Sequence, residues 1–169
     1  MVDRLSIGRG CKDKNRSMHG FSLIELLIVV AIILIIAAIA IPNLIKSRMA
    51  ANESSAVGSI RTLNTAEVEY SASCPNVGFS ATLAELNTGA VCAGGTGIID
   101  NVLATGTKSG YTFTYTPVAA NGLNTTYTTV AVPLTVGVTG QRGFFSDQTG
   151  VIRYSLSGAA PTVASSALQ

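Results

Sequence analysis

Apolar residues run almost unbroken from Phe21 to Ile41, interrupted only by Ser22 and Glu25. As a helix rising ~1.5 Å per residue, such a run is long enough to cross a hydrocarbon core of ~30 Å. Pro42 follows. It has no amide donor, so a helix passing through it loses a hydrogen bond and is expected to kink. The pattern then changes. Leu44, Ile45 and Met49, then Ala56, Ile60, Leu63, Ala66 and Tyr70, recur at helical spacing. Lys46, Arg48, Asn52, Glu53, Arg61, Glu67 and Glu69 mostly fall between them and are expected on the polar side. The spacing predicts one long helix over about residues 21–72, apolar all round in its first half and amphipathic in its second.

Cys74-Pro75 ends that helix. Phe79 to Leu86 reads as a short helical turn, with Thr82-x-x-Glu85 as a capping box, so Glu85 is assigned to a cap rather than to catalysis. Ile98 to Leu103 reads as a short strand or a turn. Beyond it the period falls to two. Tyr111 to Tyr115 alternates aromatic and threonine, and Asn121-Gly122 marks a turn before Tyr127 to Val132. Gly143 to Ser146 and Val151 to Tyr154 flank the tight turn Asp147-Gln148-Thr149-Gly150. Short connections predict an antiparallel meander of about four strands. Tyr111, Phe113 and Tyr115 share one face. That face is expected to cover the apolar stripe of the helix, giving an α+β fold. Four segments follow: a leader, 1–20; an apolar half-helix, 21–52; a head, 53–156; and a loose tail, 157–169.

Charge sharpens this division. The net charge is +2, from 11 basic and nine acidic side chains. Five of the basic residues (Arg4, Arg9, Lys12, Lys14, Arg16) and two of the acidic ones (Asp3, Asp13) precede Phe21. Six basic and seven acidic residues remain, so the rest of the chain is nearly neutral and offers no basic patch for specific nucleic-acid binding. Positive charge ahead of an apolar span keeps that end in the cytoplasm. The single histidine, His19, lies in the same basic segment, so the rest of the chain cannot assemble a Ser-His-Asp or Cys-His site, and no metal site or cofactor is expected. The glycine-rich stretch Gly89 to Gly97 lacks the following Lys-Ser/Thr of a phosphate loop. Nothing in the pattern points to an enzyme.

Gly20-Phe21-Ser22-Leu23-Ile24-Glu25, with the aliphatic run behind it, resembles the cleavage and methylation signature of type IV pilins and type II secretion pseudopilins. The resemblance covers roughly Lys14 to Arg48. It implies cleavage after Gly20 by a prepilin peptidase, N-methylation of Phe21, and a type IV pilin-like fold. It further implies a single-pass precursor in a bacterial inner membrane, an assembly platform there, and a homo-oligomeric helical filament on the cell surface. Two duller accounts of the run compete with this. A secretory signal cut near Ala38-Ile39-Ala40 is disfavoured by the length of the run and by Glu25. A plain uncleaved anchor leaves the Gly20-Phe21-Glu25 spacing unused.

With the leader removed, Cys74 and Cys92 form an even pair in an exported chain, and a disulfide between them is expected, two buried free thiols being the alternative. Major pseudopilins carry calcium in C-terminal loops, which makes Asp147 a candidate ligand; the competing role is a turn residue bonding its own backbone. Asn124-Thr125-Thr126 and Asn52-Glu53-Ser54 match the N-glycosylation acceptor pattern. No Lys or Arg lies between Phe21 and Lys46, so after cleavage the partner for Glu25 is the amine of Phe21, in its own subunit or in a neighbour. The expected function is therefore a structural, major pilin-like subunit assembled through Phe21 and Glu25. The alternatives are a secretion pseudopilin, or a minor pilin serving adhesion or DNA uptake. Relative to many pilins, Leu34 replaces a glycine, and Leu44 and Ser47 replace aromatics.

Overall fold

A computed structural model describes residues 20–88 and 97–168. The segments 1–19 and 89–96, with His19, Cys11 and Cys92, lie outside the described residues. The chain divides into two units, residues 1–40 and 41–169. The long helix is present as α1, Leu23–Ser73, and Pro42 lies inside it.

In the second unit α1 buries one stripe: Glu53, Ala56, Ile60, Leu63, Glu67 and Tyr70, at spacings alternating between three and four. A six-stranded antiparallel sheet covers that stripe: β1 Thr107–Lys108, β2 Tyr111–Ala120, β3 Leu123–Pro133, β4 Gly143–Asp147, β5 Arg153–Ser155 and β6 Ser166–Ala167. Its strand order follows the chain order. Two short helices, α2 Leu83–Thr88 and α3 Asn101–Ala104, lie between α1 and β1 in the chain. Ile60, Leu63, Tyr70, Leu86, Leu103, Tyr111, Phe113 and Phe144 belong to one buried cluster, with Tyr115 packed against it, so the aromatic face of β2 does turn inward. Asn121 and Gly122, at φ 54° and 81°, form the two-residue turn between β2 and β3 that left-handed backbone permits.

The structure corrects several expectations. The sheet has six strands instead of about four, because β1 and β6 are two-residue strands too short to show a period. The segment Ser157 to Gln169, expected as a loose tail, supplies β6, which pairs with β5, and Leu168 packs against the core. Where a short strand or a turn was expected over 98–103, the single helical turn α3 forms at Asn101–Ala104, because Asp100 caps it by accepting the Leu103 N–H at 2.8 Å. The turn expected over 79–86 becomes α2, starting after Thr82. Glu85 does cap, but it accepts from the Ala81 N–H at 2.9 Å and from Tyr70 at 3.1 Å.

The largest correction concerns Glu53 and Glu67, which are 7% and 0% exposed. Each fastens an irregular segment to α1. Glu53 accepts from the N–H groups of Gln141 and Arg142 at 2.8 and 3.1 Å, and from Arg142 Nε at 2.7 Å. Glu67 accepts from the N–H and the hydroxyl of Ser80 at 2.9 and 2.5 Å. Both lie well past the apolar run. Burial pushes the Glu67 carboxyl above its ordinary value, and the bonds from Ser80 offset this only in part. Burial also pushes Glu53 upward, but Gln141 and Arg142 outweigh it and hold that carboxyl low.

The two glutamates therefore tilt stability in opposite directions with pH. Glu53 contributes stability that is fully present above the ordinary value of 4.5 and lost as pH falls through its lower folded value. The Glu67 penalty is absent below 4.5 and grows as pH rises toward its higher folded value. Denaturant unfolding of the detergent-solubilised chain should show Glu67→Gln gaining on the wild type as pH rises from about 4 to 7, and Glu53→Gln losing ground over the same range. Parallel pH profiles for wild type and both variants would contradict this assignment.

Candidate functional site

Gly20, Phe21 and Ser22 precede α1 and are exposed. The Leu26 N–H donates to the Ser22 carbonyl at 3.2 Å, the first turn of the helix, and Glu25 sits in that turn. A carboxylate there faces the positive end of the helix dipole. Among the described residues no cationic side chain forms an ion pair with it. The ion pairs among the described residues are Lys108–Asp100 and Arg142–Glu53. In this chain the Phe21 nitrogen is still peptide-bonded to Gly20, so it carries no charge.

Around Glu25 the helix is uncovered. Phe21, Leu23, Ile24 and Ile39 are 65–81% exposed, and none of the most apolar 18-residue window is buried. The helix is long and apolar enough to cross a membrane by length and composition. Burying a Leu or Ile side chain contributes roughly 1.5–3 kcal/mol, so this surface favours lipid or another apolar surface strongly. At Pro42 the helix continues, leaving the Ala38 carbonyl without its usual donor. Four residues on, Ser47 Oγ donates to the Asn43 carbonyl at 3.0 Å.

The structure does not gather the other predicted site residues around this segment. Cys74, 1% exposed at the end of α1, is disulfide-bonded, while Cys92 lies outside the described residues. Asp147 behaves as a turn residue: its Oδ1 accepts from Thr149 N–H and Oγ1 at 2.9 and 2.5 Å, and its carbonyl accepts from Gly150 N–H at 2.9 Å. Among the described residues no three His, Cys, Asp or Glu side chains gather as a metal site would require. Asn124 Nδ2 donates to the Phe79 carbonyl at 2.9 Å, and Asn52 Nδ2 to the Thr139 carbonyl at 2.8 Å, so both acceptor amides are engaged inside the fold.

Glu53 and Glu67 went unrecognised as organising residues although their signal was available. They continue the 56-60-63-70 stripe at 53 and 67 without breaking its spacing. Residue type alone places them in solvent, whereas their position places them in the core.

A family model described as the prokaryotic N-terminal methylation motif matches residues 15–41, the stretch that contains Gly20, Phe21 and Glu25. The type IV major pilin protein PilA of Myxococcus xanthus is 50% identical over 56 residues, which are 33% of this chain and 26% of that protein. The N-terminal segment is similar to type IV major pilins and carries the methylation motif. The type IV wide pilus major component PilA4 of Thermus thermophilus is 60% identical over 38 residues, 22% of this chain and 29% of that protein. This chain thus matches between a quarter and a third of the length of these pilins. No solved structure matches it. The methylation motif ends at residue 41.

The geometry at Asn124 is testable. Asn124→Asp replaces the amide donor with a carboxylate facing the Phe79 carbonyl, and about 1–3 kcal/mol of stability should be lost in denaturant unfolding. An unchanged midpoint would show that the bond to Phe79 contributes nothing to the fold.

Proposed function

We propose that this chain is a structural subunit of a type IV pilus-like filament on the cell surface. One observation carries the proposal: an aliphatic helix whose most apolar window is unburied, with a carboxylate in its first turn that no cation among the described residues pairs with. Residues 1–20 are the leader, removed by a prepilin peptidase. Cleavage creates the amine of Phe21, which is then N-methylated. Before assembly the helix rests in the inner membrane, where an assembly platform receives it. In the filament it packs against copies of itself, and burial drives cohesion at ~25 cal/mol per Å².

Glu25 sets the register of that packing. A carboxylate in an apolar setting must pair or take up a proton. The amine of an incoming subunit meets Glu25 of its neighbour in a desolvated contact. Pro42 loosens the helix between its two halves. Cys74 pairs with Cys92, tying the loop between α2 and α3 to the end of α1. The relatives named as pilus major components favour a pilus over a secretion pseudopilus.

Mass spectrometry of sheared filaments should find N-methyl-Phe21 as the N-terminus, and non-reducing peptide maps a Cys74–Cys92 linkage. An N-terminus near Ile41 would sink the cleavage assignment, and Cys74 linked elsewhere the pairing. Glu25→Ala and Glu25→Gln should insert in the membrane at normal levels while filament yield falls at least about tenfold, the loss of a contact worth ~1.4 kcal/mol or more. Glu25→Asp, one methylene shorter, should be partly defective. If Glu25→Ala subunits alone build filaments at wild-type yield, the docking role is wrong.

A further inference from the structure

One flank of α1 forms the wall of a cleft of about 240 Å³. Glu53, Val57 and Arg61 follow one another four residues apart on that flank, and Ser54 lies beside them. Arg142, from the connection between β3 and β4, and Leu168, just after β6, complete the lining. Val57 and Leu168 also pack against the core, so the cleft has an apolar part fixed to the fold. Two guanidinium groups therefore share one depression. Glu53 offsets one of them, and a single positive charge is left over.

Arg142 is held in place before any ligand arrives. Its Nε donates to Glu53 Oε2 at 2.7 Å, and its Cζ lies 5.7 and 5.9 Å from the ring centroids of Phe144 and Tyr154. The other Glu53 oxygen accepts from the N–H groups of Gln141 and Arg142, so this carboxylate is already committed. Among the described residues the two terminal nitrogens of Arg142 donate to nothing, and neither does the Arg61 guanidinium. Glu69 shares a different cleft with Arg61 but forms no ion pair with it. The donors that remain are thus a fixed fork and a second guanidinium. A group already ordered by the fold loses little freedom on binding.

We propose that this cleft binds the carboxylate of an acidic sugar residue, a hexuronate in chemical class. Planar guanidinium groups match a planar carboxylate with two parallel bonds. One surplus positive charge suits one carboxylate better than a doubly charged phosphate. The volume lies below the roughly 300–1,000 Å³ of pockets for drug-sized ligands, so the cleft takes one ring of a larger molecule. Ser54 offers a hydroxyl to the ring hydroxyls, and Val57 and Leu168 offer apolar contact to its C–H groups. An aspartate or glutamate side chain brings the carboxylate but no hydroxyl for Ser54. The site lies within a single copy of the chain and does not depend on the filament reading above.

The test is a nuclear magnetic resonance titration of the nitrogen-labelled full chain in detergent, at about 0.15 M salt so that exposed charges are screened. The probe is methyl galacturonoside, which carries one carboxylate. The Nε–H signals of Arg61 and Arg142 should shift and saturate together. The methyl ester of the same sugar, which is neutral, should bind at least about tenfold more weakly. Arg61→Gln changes an exposed side chain and should weaken binding of the acid by a similar factor. Arg142→Lys keeps the charge beside Glu53 but loses the fork, and should also weaken it. Arg48→Gln, at another exposed position of α1, should leave the dissociation constant unchanged. Absence of a saturable shift would overturn the proposal, as would equal affinity for the ester or equal losses in Arg48→Gln and Arg61→Gln. N-acetylglutamate amide binding as tightly as the sugar would overturn the assignment to a sugar.

Discussion

An aliphatic helix that the chain's own fold leaves bare is the constraint on which the rest turns. Its exposed Leu and Ile side chains each represent roughly 1.5–3 kcal/mol of unrealised burial. Such a surface is stable only in lipid or against other apolar surface. The basic residues before Gly20, the near-neutral remainder and the solitary Glu25 are all consistent with a chain that exchanges the first environment for the second. Because the helix is apolar on every side, hydrophobicity alone gives no preferred register. On the filament proposal a single charge near its start supplies one, as a lone polar residue does in a coiled-coil seam.

The head is built on a different use of charge. Glu53 and Glu67 sit in the apolar stripe of α1 and hold two irregular segments, around Gln141–Arg142 and at Ser80, that have no strand partner for these amides. A buried carboxylate is costly unless its oxygens are satisfied. Glu53 has an arginine beside it, whereas Glu67 has only amide and hydroxyl donors. That difference sends their proton affinities in opposite directions. Removing Glu67 would leave a buried backbone donor unpaired and removing Glu53 two half-buried ones, which is why such clamps are hard to dispense with once a loop depends on them.

Long-period features were legible in the sequence. The helix over Leu23–Ser73, the β2–β3 hairpin with its Asn121-Gly122 turn and the inward aromatic face of β2 all follow from spacing and turn chemistry. The prepilin signature was legible too, because its residues are chemically unusual for an apolar run. What escaped was short or contextual. A two-residue strand such as β6 has no period, and α3 exists because Asp100 caps it and Lys108 holds Asp100 from β1 at 2.8 Å. Glu67 illustrates the harder case: its spacing said core and its chemistry said solvent, and only the arrival of Ser80 from another segment decides between them.

Because the strand order of the sheet is its chain order, the head can be completed in the order in which it is threaded out. A chain that leaves a membrane behind its anchored helix presents the stripe of α1 first. Each later strand then meets a neighbour already in place, so every loop closure is short and entropically mild. The exceptions are the bonds from α1 to the far end of the sheet: Asn52 with Thr139, Asn64 with Ser146 and Glu53 with Arg142 span 87, 82 and 89 residues and can form only after β3 has emerged. Those bonds act as late fasteners, closing the head on its helix after most of the strands are in place.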